Sequence, residues 1–191
     1  MACTSGITKA ITSNCTTAKS GSLEVAAYVF NRADISITYD GTLGNKITDL
    51  ANASTKQGYK LLGVKKLLNA GHDAVVADDR PDKYTHYFNF QQFELDADDI
   101  LNVDDLNDVI VIVEGKDKSA DGDGVFFAYG AKNGLWKSSD TQRANDINGA
   151  RNIELTSLAG QEEQYSRFVV LKTDYATTLA LLNTLVTTPG A

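Results

Sequence analysis

The run Val109–Val113 inside Asp108–Glu114 (DVIVIVE) places five β-branched apolar residues in succession. Neighbouring side chains of a strand point to opposite faces, so this strand needs apolar cover on both sides and belongs at the centre of a sheet or between two layers. A chain of 191 residues with 42% apolar composition has enough material for that cover without a disulfide or metal staple. The segment Gly124–Trp136 (GVFFAYGAKNGLW) supplies the adjacent piece. It starts with a second apolar, aromatic strand over Val125–Tyr129 and continues into a Gly-spaced turn, so the two runs read as a hairpin whose long tip is Gly115–Gly122.

The rest of the chain is mostly strand. Leu23–Arg32 and Asp34–Tyr39 are rich in β-branched and aromatic residues and are separated by a break at Asn31, Arg32 and Ala33. A third strand is expected over Lys46–Ala51, after turn signals at Asp40-Gly41 and Gly44-Asn45. Gly58–Asn69 fits either a strand or a short helix ending near Gly71, because an apolar helical face competes with Gly58, Gly63 and Val64. Tyr84–Leu95 is the longest extended element, with Tyr84, His86, Phe88 and Phe90 on one face. The apolar parity changes at Gln91 and Gln92, which predicts a β-bulge or a handover between sheets. Asp96–Leu106 reads as a short amphipathic helix with an acidic start. Arg151–Leu158 and Gln164–Leu171 are expected to pair around Gly160, and Asp174–Val186 to form a helix capped by Thr173 or Asp174. The fold class is therefore mainly β with one or two short helices (α+β). One domain is expected over residues 23–188, between a flexible arm at 1–22 and a flexible end at 189–191.

Composition and motifs narrow the function classes. Eighteen Lys and Arg against 25 Asp and Glu give a net charge of −7, which repels phosphate backbones and anionic headgroups. A general nucleic-acid binder is disfavoured. No window reaches the roughly 18 consecutive apolar residues of a membrane span, and MACTSGITK lacks the apolar core of a signal peptide. Cys3 and Cys15 are the two cysteines, read as reduced thiols on the arm with a disulfide as the competitor. The loop residues Asp117, Ser119, Asp121, Gly122 and Asp123 imitate the opening of a calcium loop, which makes Asp117, Asp121 and Asp123 the metal-ligand candidates. The imitation stops at Ala128, where an EF-hand needs a bidentate Glu, so the expectation is a solvated hairpin tip and no metal or other cofactor. The pairs Asp78-Asp79, Asp98-Asp99 and Asp104-Asp105 carry acid and base groups whose convergence a strand or helix does not guarantee. His72 and His86 have no nucleophile pattern around them and are read as structural or surface residues. No GxGxxG, GxxxxGK[ST], GxSxG, HExxH or CxxC pattern is present, and the chain is expected not to be an enzyme.

Three stretches carry a family resemblance: the N-terminal MAC…GI…NC…LEVAAYVFNRADI, the central DVIVIVE…GVFFAYGAKNGLW, and Ala150–Leu158 followed by YSRFVVLKTDYATTLALLNTL. Together they resemble small virion structural proteins of tailed phages that infect Bacteroidota, similar in arrangement to tail-tube or neck-ring subunits. The resemblance implies a β-sandwich or barrel-like sheet whose strands close into a barrel on oligomerisation. It implies homo-oligomeric, usually hexameric, rings stacked into a channel, with DNA only in passage, other tail or neck proteins as partners, and no membrane. The location implied is the virion, after synthesis in the bacterial host cytoplasm. Within this picture Tyr84, His86, Phe88 and Phe90 of the long strand, with Lys116, Asp117, Lys118 and Ser119 of the loop, are the assembly-contact candidates. A capsid decoration or head-tail connector protein is the alternative, and a glycan- or calcium-binding module using Trp136, Tyr129 and the Asp-rich loop is a second.

Overall fold

The computed structural model describes residues 22–63, 67–93, 96–118, 121–143, 145 and 149–187. Cys3, Cys15, nearly all of the expected N-terminal arm, Ser119 and the expected C-terminal end lie outside these residues. Among the described residues twelve strands form two sheets, accompanied by two α-helices. In chain order they are β1 Leu23–Asn31, β2 Ile35–Tyr39, β3 Lys46–Asn52, β4 Gly58–Leu62, β5 Asn69–Val75, β6 Lys83–Gln92, α1 Ala97–Asp104, β7 Val109–Gly115, β8 Phe126–Tyr129, β9 Trp136–Gln142, β10 Arg151–Thr156, β11 Phe168–Val170, α2 Tyr175–Leu185 and β12 Val186–Thr187. A single 3₁₀ turn, Arg32–Asp34, forms the break between β1 and β2.

The eight-stranded sheet runs β12-β4-β1-β7-β8-β11-β3-β2, and the four-stranded sheet runs β5-β6-β10-β9. The continuous apolar run of β7 is explained by what lies on each side of it. Ile110 and Ile112 join Tyr28, Phe30, Phe126, Phe168 and Leu182 in one core, under α2. Val109, Val111 and Val113 join Ala27, Val29, Phe88, Phe90, Ile153 and Leu155 in a second core, between the two sheets. The large sheet is thus the middle layer of three, and β1 and β7 are buried on both faces. Each helix is capped by the aspartate before it: Asp96 accepts from Asp99 N (2.8 Å) and Asp174 from Thr177 N (2.7 Å).

The hairpin β7–β8 forms as expected, with Val111 opposite Tyr129 and Glu114 opposite Phe126. Several expectations need correction. Gly58–Asn69 contains the strand β4 and the start of β5, and Gly71 ends nothing: it sits within β5 opposite Tyr87, whose ring occupies the space a Cβ would need. No bulge interrupts β6, which pairs in unbroken register with β5 and with β10, and stops at Gln92 with Phe93 left exposed. β10 and β11 do not pair; they belong to different sheets, because β10 lies between β6 and β9 while β11 lies between β8 and β3. The strand β9 went unread because WKSSDTQ is polar, as suits an edge strand paired on one side. Among the described residues the sheets stay open, and no barrel closes within the single chain.

Candidate functional site

Three places concentrate polar chemistry. The first is the turn Gly130–Gly134, between β8 and β9. Glu163 is fully buried, and its Oε1 accepts from the backbone N–H of Lys132 (3.0 Å) and of Asn133 (2.9 Å), while Asn133 Nδ2 donates to Glu162 O (3.0 Å). Its Oε2 is buried with no hydrogen-bond partner, and burial pushes the carboxyl up from its ordinary range. His86, also fully buried, holds the same turn from β6: Gly130 N–H donates to Nδ1 (3.0 Å), and Nε2 lies 2.9 Å from Tyr165 O. That pairing makes Nδ1 the acceptor and places the ring proton on Nε2. Burial lowers the His86 pKa to about 4, so the imidazole is neutral near pH 7. Gly134, at φ +77°, has no room for a Cβ beside the Asp108 carboxylate. Asp108 takes a two-pronged contact from Arg32, Nε to Oδ1 at 2.6 Å and Nη2 to Oδ2 at 2.8 Å. The buried ionisable groups are engaged in holding a turn.

The second place is the base of the β7–β8 hairpin. Glu114, almost wholly buried, accepts from Tyr175 Oη (2.7 Å) and pairs with Lys118 Nζ (3.2 Å). Lys118 also pairs with Glu24 (3.2 Å) and lies 5.7 Å from the Tyr175 ring centroid, and these carboxylates raise its pKa. Lys116 N donates to Ser22 O (3.0 Å), and Gly122, at φ +76°, lies against the backbone of Asp174 and Tyr175. The tip is folded back onto β1 and the start of α2. Of the cation-ligand candidates, Asp121 accepts from Asp123 N (3.3 Å), and among the described residues no three His, Cys, Asp or Glu side chains gather as a metal site.

The third place is the small sheet. Tyr84 is half-buried, tied to Glu163 by reciprocal backbone bonds of 2.8 Å, with its ring edge-on to His72. His86, Phe88 and Phe90 are committed to the interior of the chain and are not exposed for a contact with another chain. Tyr129 is buried as well, which removes it as an exposed recognition ring. The opposite face carries Asn89 and Gln91 on β6, Asn152 and Glu154 on β10, and Ser139 and Thr141 on β9, around a cavity of about 400 Å³. Sequence reasoning missed this face and Glu163. The signal for the face was present as polar residues at every second position of three strands; nothing local marks Glu163. No family model matches the chain, and neither a curated protein nor a solved structure matches it.

Proposed function

We propose that the chain is a self-assembling structural subunit of a tailed-phage virion, of the tail-tube or ring type. The observation that carries this reading is the state of the sheet edges. β2 ends the large sheet, and β5 and β9 end the small one. A soluble monomer guards such edges with charged side chains, lysine above all, or with proline, yet β2 (ISITY) has none of these and β5 (NAGHDAV) has Asp73 alone. On β9 the one lysine, Lys137, turns its Nζ to the carbonyls of Val103 (3.0 Å) and Asp104 (3.1 Å). Strands from neighbouring copies complete these edges, and a head-to-tail contact of this kind closes into a ring when its rotation permits. The buried His86 and Glu163 support the reading, since both fix a turn beside the sheets.

Sedimentation velocity and negative-stain microscopy over a wide concentration range test it. The expected result is rings or hollow tubes that grow with concentration; a strictly monomeric species throughout would overturn the assignment.

A further inference from the structure

The outer face of the small sheet has the chemistry of a site for a neutral saccharide. Cross-strand register aligns its side chains in two rows: Gln91, Asn152 and Thr141 form one, and Asn89, Glu154 and Ser139 the other. This is the face turned away from the inter-sheet core, which takes Phe88, Phe90, Ile153 and Leu155. The rows border the cavity of about 400 Å³, with Leu67 at its rim, a volume within the range of small-molecule sites. Among the described residues, none of the six side chains hydrogen-bonds another side chain, and Asn89 Oδ1 is buried with no partner.

The composition of the lining selects the ligand. Three amides, two hydroxyls and one carboxylate offer donors and acceptors at close spacing, which matches the adjacent hydroxyls of a sugar, each able to donate and accept. Among the described residues no Lys or Arg lines the cavity, so they offer a phosphate or sulfate no counter-charge. A single carboxylate, Glu154, is too few for a calcium ion. Of the three apolar residues that line it, Leu67 lies at the rim while Phe90 and Ile153 are buried in the inter-sheet core, so among the described residues no exposed aromatic ring offers a platform for a nucleobase. We infer that the Asn89–Gln91–Asn152–Glu154–Ser139–Thr141 face binds neutral hexoses or N-acetylhexosamines. This is independent of whether the edges assemble.

The test is a panel of neutral mono- and oligosaccharides titrated into the full chain, followed by the side-chain amide NMR signals of Asn89, Gln91 and Asn152 and by calorimetry. Saturable shifts of those amides are expected with at least one sugar, and Asn152→Ala and Glu154→Gln should each weaken binding about tenfold, the loss expected from removing one hydrogen bond. Both substitutions lie at the surface side of the sheet, and unchanged thermal unfolding checks that the fold persists. Absence of shifts with every neutral sugar, binding confined to anionic ligands, or affinity unaffected by both substitutions would overturn the assignment.

Discussion

At the scale of single residues, His86 and Glu163 are two buried ionisable groups whose pKa values move in opposite directions. His86 titrates at about 4 in the folded chain against an ordinary 6.5, so the unfolded chain takes up the proton first. Its contribution is present above the unfolded pKa and is lost as pH falls from about 6.5 towards about 4, by up to about 3 kcal/mol. Urea unfolding of the wild type and of His86→Gln across that window should show the difference between them shrinking as pH falls. Glu163 behaves the other way. Its folded pKa is raised, so its protonated form favours folding, and that contribution is lost as pH rises through the folded value. Glu163→Ala should cost about 2–4 kcal/mol at neutral pH, because the N–H groups of Lys132 and Asn133 lose their acceptor. Glu163→Gln keeps an acceptor without the buried charge, and chemical denaturation should find it much less damaging than Ala. His86 stood out in the sequence as a member of an apolar strand face. Glu163 was invisible there, because its partners come from a turn thirty residues earlier in the chain.

At the scale of elements, periodicity was legible wherever a strand has unlike faces or two apolar ones. β6 alternates as read, and its inward Phe88 is fully buried and stacked with Phe90 at a centroid distance of 5.7 Å. Phe88→Ala should lose about 3–5 kcal/mol, and Phe88→Asp should prevent folding, as circular dichroism would report. Soluble, cooperatively unfolding Phe88→Asp protein would contradict the core assignment. The short edge strands β5 and β9 escaped notice, since an edge strand needs little apolar surface and its pattern resembles a loop. The sequence reads the β7–β8 tip as exposed and solvated. Lys118 joins Glu24 and Glu114 across that tip, so removing Lys116–Lys118 should destabilise the folded chain itself. Lys118→Met should cost about 1–3 kcal/mol in thermal or urea unfolding, because the almost wholly buried Glu114 carboxylate loses its cation and keeps the Tyr175 hydroxyl.

At the scale of the whole molecule, the layer order follows from β1 and β7, whose apolar residues feed both cores. The sequence placed β7 at the centre of a sheet or between layers, and the structure has it inside the large sheet with a core on each face; what those layers are stayed open, since the partners Leu182 and Phe88 lie elsewhere in the chain on either side of it. Two joins of the large sheet are also distant in the chain: β12 pairs in parallel with β4 at its edge, and β11 in parallel with β3. A chain truncated after Leu185 should leave the outer edge of β4 unpaired and lose about 2 kcal/mol with the removal of the buried Val186 side chain, with a lower unfolding temperature and more light scattering than the full chain. These distant parallel joins also set an order of events during synthesis. The ribosome releases β1 to β4 long before α2, β11 and β12 exist, so the early strands carry uncovered apolar faces until the late ones arrive. Such a topology closes slowly, and the uncovered early strands are exposed to aggregation in the interval.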